Sequence, residues 1–373
     1  MKVANVVLNN FKNDSRVLKI SKSLFDLGIT PTVVAIHDDG LLEEECVQGI
    51  AVNRLRLKSR SLPKWRPVQV VKYVEFVLRA FLRYRKANIV HCNDLSALPV
   101  GLLIKLFGKN VKVVYDCHEY ETEVNGIGGF EKLFRRILEK FQIRYADTIL
   151  TVSDSIANEY VRLYGVKKPD LVLNCPLYQS PEKSELFREK LGIRKDQNIF
   201  LYQGALFKGR GIEMLLDVFG SFKSDKNVLV CMGYGSLEGL IREAGLQHNR
   251  VFFHPAVNQE VLLNYTSSAD FGISFIEDSC LSYRYCLPNK MFEYFMAGIP
   301  VITSNLFEMK KLVEKEGVGV VASNNSKDGF QDALENILAM DYARLQRNVI
   351  SLSSLYCWEE QEKSLKAAYE SIL

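Results

Sequence analysis

Two glycine-rich junctions in the second half of the chain have the residue types of an anion site. Residues 204–211, GALFKGRG, follow a predicted strand and precede a predicted helix, and residues 232–235, MGYG, repeat the strand-glycine-helix order. Glycines let backbone amides approach an anion, and the N-terminus of a helix adds a partial positive charge. Lys208 and Arg210 add full charges at the first junction, which therefore has the outline of a phosphate site. Its sequence matches neither a Walker A loop nor the GxGxxG motif. The alternative to a phosphate site is a glycine-rich turn with two solvated bases.

A third junction, residues 287–300, combines a lysine and a glutamate at a predicted helix start. Pro288 suits the beginning of a helix, Asn289 and Lys290 lie in its first turn, and Glu293 follows one turn later on the same face. A cation at a helix N-terminus is unfavourable unless an anion lies between them. A carboxylate one turn deeper could accept hydrogen bonds from two neighbouring hydroxyls. These residues therefore predict Lys290 on a diphosphate and Glu293 on a ribose, with a solvated Lys–Glu pair as the alternative.

One histidine of the first half lies where a ligand site of an α/β protein would form. Residues 115–121, YDCHEYE, place His118 and Glu119 after a predicted buried strand. Ligands of open α/β sheets bind at the carboxyl ends of the strands, and a pKa near neutrality suits a histidine to donate or accept a hydrogen bond. A structural histidine at a strand end is the alternative, and His91 before Asn93 is a weaker candidate.

The elements that must position these residues alternate along the whole chain. Short apolar runs rich in β-branched residues are separated by segments with helical periodicity, which is typical of parallel, doubly wound sheets. A polar stretch at 179–190 interrupts the series, which then restarts. We predict two Rossmann-like α/β domains facing across a cleft, residues 1–178 and 179–355, followed by a helix at 356–373. The predicted strands are 3–8, 31–36, 51–57, 87–92, 111–116, 148–153 and 170–175 in the first domain, and 198–203, 227–232, 250–254, 271–276, 301–304 and 318–322 in the second.

Composition excludes several classes of protein. With 47% hydrophobic and 25% charged residues, the 373-residue chain is an ordinary globular one. No run reaches the roughly 18–20 uncharged apolar residues of a membrane span, and a strand that begins at Met1 leaves no room for a signal peptide. The eight cysteines form no CxxC pair, so we expect buried thiols rather than a zinc site. We expect a cytoplasmic protein.

Positive charge is concentrated in the first half. Residues 54–86 carry eleven basic side chains and one acidic one. Residues 62–86 and 130–140 mix bases with aromatics, as a helix on an anionic membrane surface does; a core helix with a solvated basic face is the alternative. No nucleic acid is expected, because no recognised binding module accompanies the charge.

Five motifs in order resemble the retaining, nucleotide-sugar-dependent glycosyltransferases of family 4, in their Pro-Asn-Lys variant branch. Residues 89–101 resemble the family's "vvHahd…alpvg" segment, residues 146–153 resemble "aD.vitvS", and residues 204–211, 288–300 and the helix from Trp358 resemble its donor-side signatures. The resemblance covers nearly the whole chain. It implies the GT-B fold, with a C-terminal helix returning to the first domain. It also implies transfer of a sugar from a nucleoside diphosphate sugar, with retention. We expect UDP rather than GDP as the nucleotide and, because no DxD-type metal-diphosphate motif is evident, neither a metal nor another cofactor.

The resemblance also implies the donor contacts, position by position. Arg210 matches the lysine that contacts the donor diphosphate, and Glu293 matches the glutamate that binds the ribose. Ala205 and Tyr285 depart from the pattern, since the family usually has an arginine and a glutamate there. The donor-side candidates are Gly204, Lys208, Arg210, Asn289 and Lys290 for the diphosphate, Glu293 for the ribose, and Gly233, Tyr285 and Leu287 for the donor sugar or base.

On the acceptor side the resemblance is looser. The family places a histidine at position 118 that hydrogen-bonds the donor sugar, so His118 with Glu119 is the catalytic candidate. Asp14 and Arg16 resemble its "D-x-R-v" variant, and they are acceptor-side candidates with Asn93; Asp14 could instead cap a helix. The implied acceptor is a glycan or a lipid-linked sugar in polysaccharide or glycolipid synthesis, reached from the cytoplasm, with the enzyme peripheral on the inner face of the membrane.

Two other functions stay open at this point. A nucleotide-sugar epimerase of the same fold would convert its substrate without an acceptor. A non-catalytic nucleotide-sugar-binding partner would explain the departures at Ala205 and Tyr285, whereas His118 and residues 288–293 favour an enzyme.

Overall fold

The computed structural model describes residues 1–12, 14–222 and 225–373. It divides into two compact units, the first formed by Met1–Leu173 with Gln361–Leu373 and the second by Asn174–Glu360. The limits lie at 173/174 and 360/361, whereas the sequence placed them at 178/179 and 355/356. Hydrogen bonds account for the difference. The Trp358 N–H donates to the Pro176 carbonyl, which keeps both segments in the second unit, and the Leu173 N–H donates to the Gln361 side chain in the first.

The first unit contains an eight-stranded sheet in the order β3-β4-β2-β1-β5-β6-β7-β8. All neighbouring strands are parallel except β3 and β4. The chain winds outward from β1 in one direction and then from β5 in the other, so the crevice of a doubly wound sheet lies at the carboxyl ends of β1 and β5. The strands are β1 Lys2–Val6, β2 Thr30–Ile36, β3 Glu44–Val47, β4 Ile50–Leu55, β5 Ile89–Asn93, β6 Lys112–Cys117, β7 Thr148–Thr151 and β8 Asp170–Leu171.

The edge strand β3 is the one strand that the sequence did not predict. It forms a hairpin with β4 through Gln48 and Gly49, both with positive φ, as a tight two-residue hairpin turn requires. Its sequence is EECV, and none of its residues is fully buried. A search for continuous apolar runs therefore missed it.

Five helices connect the strands of the first unit. Their ends follow local signals: in α5, the Ser153 hydroxyl accepts from the Ile156 N–H at the start, and Gly165 ends the helix in the left-handed conformation. The helices are α1 Ser15–Asp26, α2 Arg66–Tyr84, α3 Asp94–Phe107, α4 Gly129–Gln142 and α5 Asp154–Tyr164, with 3₁₀ turns at Lys58–Ser61 and Ile143–Tyr145.

The second unit contains a fully parallel six-stranded sheet in the order β11-β10-β9-β12-β13-β14. Its crevice lies between β9 and β12, where the winding reverses. The core between this sheet and its helices includes Phe200, Phe219 and Phe275. The strands are β9 Asn198–Ala205, β10 Asn227–Tyr234, β11 Val251–Pro255, β12 Phe271–Ser274, β13 Val301–Thr303 and β14 Gly319–Val321.

The helices of the second unit alternate with its strands, and the last helix has residues in both units. Every helix beyond α5 lies in the second unit, except that α15 continues into the first unit from Gln361. No helix in the described part of the chain is both long and apolar enough to span a membrane. The helices are α6 Leu186–Leu191, α7 Ile212–Ser221, α8 Glu238–Gln247, α9 Gln259–Thr266, α10 Leu281–Arg284, α11 Asn289–Met296, α12 Phe307–Glu316, α13 Lys327–Ala339, α14 Tyr342–Ser353 and α15 Trp358–Glu370.

Candidate active site

In the first unit, His118 lies between two carboxylates at the carboxyl end of β6. Its Nε2 is 3.2 Å from Asp116 Oδ2, its Nδ1 is 3.6 Å from Asp94 Oδ2, and its backbone N–H donates to Asp94 Oδ1. Burial alone would lower the pKa of His118, but the two carboxylates outweigh burial and raise it to about 9. His118 is therefore an imidazolium at neutral pH, which donates hydrogen bonds and cannot act as a base.

Asp116 is fixed in turn by Arg16. Nε and Nη2 of Arg16 donate to the two oxygens of Asp116 at 3.0 and 2.7 Å, and Nη1 donates to the Val172 carbonyl at 2.8 Å. Burial opposes the charge of Asp116, yet Arg16 and His118 hold its pKa well below the usual range. Arg16 is only 3% exposed. This geometry favours a role in positioning Asp116 over the acceptor contact predicted for Arg16.

His91 completes the buried network below Asp116. Its Nε2 is 3.4 Å from Asp116 Oδ2, and its Nδ1 is 2.8 Å from the hydroxyl of Tyr369 on α15. Burial lowers the pKa of His91 and keeps its ring neutral. Because ionised Asp116 only accepts hydrogen bonds, Nε2 must carry the proton, and Nδ1 accepts from Tyr369.

Asp94 and Glu121 form a pair of carboxyl groups that the sequence did not single out. Asp94 has a φ of +64°, a left-handed backbone that is uncommon outside glycine and clusters at functional sites. Burial, together with the Asp94 carboxylate, raises the pKa of Glu121 well above its usual range. Burial and its negative neighbour therefore favour the protonated form of the Glu121 carboxyl. The sequence feature that could have identified Asp94 is its position immediately after a buried strand.

The remaining candidates of the first unit take structural positions. Asp14 caps α1 by accepting from the Val17 N–H, the alternative already considered. Asn93 is buried and donates to Asn5 Oδ1 and the Val6 carbonyl; its own Oδ1 has no hydrogen-bond donor within the described residues. Glu119 is exposed in the turn after β6.

In the second unit, close backbone packing explains the glycines at the ends of β9 and β10. A Cβ at Gly233 would lie 1.8 Å from the Gly204 carbonyl oxygen, so strand packing alone requires glycine there. Gly204 has a φ of +116°, and a Cβ on it would lie 3.8 Å from Lys290 Cε. Lys290 therefore lies directly over the glycine junction, as expected of two groups that bind one phosphate.

Lys290 and Arg210 place two cations at this junction. Burial first, and then repulsion by Arg210, lower the pKa of Lys290 to about 7, against the opposing effect of Glu293. Lys290 Nζ lies 3.6 Å from the ring centre of Tyr202, and the Arg210 guanidinium lies 4.8 Å from that of Tyr283. Two cations that repel each other are stabilised by an anion between them.

The other donor-side candidates lie around Lys290 and Arg210. Glu293 follows Lys290 by one turn of α11, and Gln203 donates a hydrogen bond to its carboxylate. Lys208 and Asn289 are exposed, whereas Tyr285 and Leu287 are half-buried. The ring of Tyr285 lies edge-on to Phe307, 6.3 Å between centres, beside a surface pocket lined in part by Arg284, Lys310 and Lys311. The structure thus groups Gly204, Arg210, Lys290 and Glu293 and leaves the other five, Lys208, Gly233, Tyr285, Leu287 and Asn289, around them.

Comparison with known proteins assigns the family. Residues 15–174 match the description "Glycosyltransferase Family 4", and residues 183–351 match "Glycosyl transferases group 1". The chain is a family 4-type glycosyltransferase. The first match lies within the first unit of this glycosyltransferase except for Asn174, and the second match lies within the second unit.

Curated relatives of the glycosyltransferase are distant but extend over most of its length. An uncharacterised glycosyltransferase of Methanocaldococcus jannaschii is 23% identical over 86% of this chain and 83% of its own. A D-inositol 3-phosphate glycosyltransferase of Corynebacterium diphtheriae is 22% identical over 81% of this chain and 75% of its own. The O-antigen biosynthesis glycosyltransferase WbnH of Escherichia coli is 24% identical over 82% of both chains.

Solved structures agree with the fold of this glycosyltransferase. Sucrose-phosphate synthase from Thermosynechococcus elongatus superposes with a TM-score of 0.81 at 19% identity, over 100% of this chain and 99% of its own. Anabaena HepE in complex with UDP and glucose gives a TM-score of 0.75 at 15% identity, with the same coverage. The expectation of two Rossmann-like domains of the GT-B type is confirmed.

Proposed function

We propose that this glycosyltransferase moves a sugar from a nucleoside diphosphate sugar to a hydroxyl of a glycan or lipid-linked acceptor. UDP is favoured over GDP, and the reaction proceeds with retention, without a metal or another cofactor. The observation that carries the proposal is the group formed by Lys290, Arg210 and Gly204, with Glu293 one turn deeper on α11. HepE, whose structure holds UDP and glucose, supports the donor class, and the O-antigen biosynthesis relative supports a glycan acceptor.

The donor site lowers the energy of the leaving diphosphate by charge. Arg210 and Lys290 neutralise the charge that develops on it, and groups held in place before the reaction are the most effective for this purpose. Binding of the anion raises the pKa of Lys290 from about 7, so the donor is bound together with a proton at neutral pH. The ribose hydroxyls donate to Glu293.

His118 serves the donor sugar as a hydrogen-bond donor. Its pKa of about 9 keeps it charged. Nε2 donates to Asp116 and the backbone N–H donates to Asp94, while Nδ1 lies 3.6 Å from Asp94 Oδ2, beyond hydrogen-bond distance, so its N–H can donate to the sugar. Retention without a covalent intermediate needs orientation and charge rather than a strong base. A fixed imidazolium supplies both.

Turnover assays separate this proposal from its two alternatives. The protein is incubated with UDP-, GDP- and ADP-sugars, with and without an extract of lipid and glycan acceptors, and products are identified by mass spectrometry. We expect release of a nucleoside diphosphate only with acceptor, unchanged by EDTA. An epimer formed without acceptor would establish the epimerase instead. Donor binding without any conversion in either condition would establish a non-catalytic partner.

We also propose that the first unit docks on an anionic membrane surface, on the cytoplasmic side, through α2 and α4. The apolar side chains of α4 face outward, with Phe130 87% and Phe141 65% exposed. Its one fully buried residue is Glu139, which accepts hydrogen bonds from the hydroxyls of Tyr115, Tyr160 and Tyr164. A helix that exposes its apolar side chains and buries a carboxylate supports docking over the alternative of a core helix with a solvated basic face.

Bases flank the same apolar side chains, which favours anionic lipid over a neutral apolar partner. The exposed apolar residues are Val70, Val71, Val74, Leu78 and Leu82 on α2, and Phe130, Leu133, Phe134, Ile137 and Phe141 on α4. The adjacent bases are Arg66, Arg79 and Arg83 on α2, and Lys132, Arg135, Arg136 and Lys140 on α4.

Sedimentation with vesicles tests the membrane proposal. We expect binding to phosphatidylglycerol-containing vesicles, weaker binding to pure phosphatidylcholine, and loss of binding in Phe130→Ser/Phe134→Ser. Phe25→Ser, which removes an exposed phenylalanine of α1, is the matched control. Equal binding by all three proteins would contradict the proposal.

A further inference from the structure

Gln203 is a buried amide that contacts the proposed ribose ligand. It lies in β9, one residue before the glycine junction, and is 2% exposed. Its Nε2 donates to Glu293 Oε2. This hydrogen bond restrains one oxygen of Glu293, and a carboxylate offers about four acceptor sites over its two oxygens.

Thr266 suits the orientation that Glu293 imposes on the amide of Gln203. Because a carboxylate only accepts hydrogen bonds, Nε2 of Gln203 must face Glu293, which turns Oε1 away from it. The Thr266 hydroxyl, at the end of α9, lies 2.9 Å from that oxygen and can donate to it. Thr266 is fully buried, so water does not compete for this contact.

The backbone of Gln203 is held by the residue that follows Glu293. β9 and β12 pair only at Phe271↔Phe200 and Gly272↔Leu201. Beyond these pairs, the hydroxyl of Tyr294 lies between the two strands and bonds to both. It accepts from the Gln203 N–H at 3.2 Å, and it lies 2.9 Å from the Leu201 carbonyl and 3.0 Å from the Ile273 carbonyl.

The ring of Tyr294 fits against the sheet at a glycine. A Cβ at Gly272 would lie 2.4 Å from this ring, so the close approach of α11 to the crevice depends on that glycine. Two adjacent residues of α11, Glu293 and Tyr294, thus bind the side chain and the backbone of one residue of β9.

We propose that Gln203 is a positioning residue for nucleotide recognition: it presents the carboxylate of Glu293 to the ribose hydroxyls, and the Thr266 hydroxyl supports its amide. This inference rests on the ribose contact proposed above for Glu293. Without Gln203 the carboxylate rotates, and the protein loses discrimination for the ribose while keeping its diphosphate contacts.

Nucleotide affinity in Gln203→Leu tests the role directly. The ligands are whichever of UDP, GDP and ADP binds the wild type most tightly by calorimetry, and the 2′,3′-dideoxy form of the same diphosphate. We expect about tenfold weaker binding of the ribonucleotide, the size of one hydrogen bond to a charged group, and less than twofold for the dideoxy form. The Thr266 hydroxyl keeps a partner in this variant, because the Leu262 carbonyl lies 2.9 Å away.

Two further variants exclude a general loss of structure. Gln197→Leu is the matched control: Gln197 is also a buried glutamine, bonded to Asp225 O and the Arg194 N–H away from the junction. We expect it to leave both affinities unchanged. Thr266→Val should reproduce the selective loss of ribonucleotide affinity at smaller size. Equal weakening of both ligands by Gln203→Leu, or no weakening of the ribonucleotide, would overturn the proposal.

Glu293→Gln, measured in parallel, separates this inference from the proposed function. Unchanged ribonucleotide affinity in Glu293→Gln would refute the ribose contact itself and this inference with it. Weaker binding in Glu293→Gln but not in Gln203→Leu would refute only the role of Gln203.

Discussion

The pKa of Lys290 predicts a pH dependence of donor affinity that a permanently charged side chain would not show. Lys290 titrates near 7 because burial and Arg210 disfavour its charge. A bound diphosphate restores that charge, so the complex takes up a proton above pH 7. Lys290→Arg keeps a positive charge at every pH of interest, and Lys290→Met removes it.

The size of the effect follows from the ionisation of Lys290 alone. With a pKa of 7, the charged fraction of Lys290 falls from roughly three quarters at pH 6.5 to about 3% at pH 8.5, so the wild-type dissociation constant should rise about 25-fold over this range. In Lys290→Arg and Lys290→Met the dissociation constant should not change with pH. Affinity in Lys290→Met should be weak at every pH, whereas Lys290→Arg should stay near the low-pH affinity of the wild type.

Calorimetry with a nucleotide sugar measures both the affinity and the proton. A nucleotide sugar is preferred because the terminal phosphate of a free diphosphate titrates near pH 6. Titrations at pH 8 in two buffers of different ionisation enthalpy should show uptake of close to one proton by the wild type and none by either variant. A wild-type affinity that does not change between pH 6.5 and 8.5, or a pH dependence that persists in Lys290→Arg, would refute the reasoning.

Three further predictions concern the first unit and the glycine junction. His118 has its pKa raised from 6.5 to about 9; the stability this contributes is complete below pH 6.5 and is lost as pH rises through 9. Denaturant titrations should therefore show the free energy of unfolding of the wild type falling by about 3 kcal/mol relative to that of His118→Asn across that window, since the comparison cancels the opposite contribution of Lys290. Arg16→Leu takes from buried Asp116 the guanidinium that binds both of its oxygens, with His118 as the remaining cation, and should cost about 3 kcal/mol by denaturation; a loss below about 1 kcal/mol would contradict the buried pair. Gly233→Ala should cost about 3 kcal/mol because its Cβ would collide with the Gly204 carbonyl, while Gly239→Ala, on α8 with open space around it, should be neutral or slightly stabilising.

The fold was largely predictable because buried parallel strands leave a clear pattern. All thirteen predicted apolar runs contain a strand, since a strand covered on both faces must be apolar at nearly every position. β3 lacks that property and was missed. The run at 170–175 yields only the two-residue strand Asp170–Leu171.

The donor side was predictable only where its residues are neighbours in sequence. Lys290 and Glu293 share a helix face, and glycines mark the junction, so local spacing was enough. Gln203 was not singled out, because a glutamine in an apolar strand shows nothing of a contact with a carboxylate 90 residues away.

Contacts between residues far apart in sequence also explain what the sequence could not predict about the first unit. The family resemblance suggested an acceptor contact for Arg16, whereas the partner that the structure gives it, Asp116, lies 100 residues further along the chain. The periodicity of α4 predicts two faces without saying which one is buried. Three tyrosines from β6 and α5 decide that by binding Glu139.

The central claim is that the second unit binds a nucleoside diphosphate sugar through Arg210, Lys290 and Glu293, and a thermal-shift screen tests it most directly. UDP-, GDP-, ADP- and CMP-sugars are added to the wild type, Arg210→Ala and Glu293→Ala. A ligand at 100 times its dissociation constant stabilises the native state by about 2.7 kcal/mol, which raises the melting temperature by several degrees. We predict such a rise with one nucleotide class in the wild type and a much smaller rise in both variants. The same rise in all three proteins, or none with any nucleotide sugar, would contradict the account.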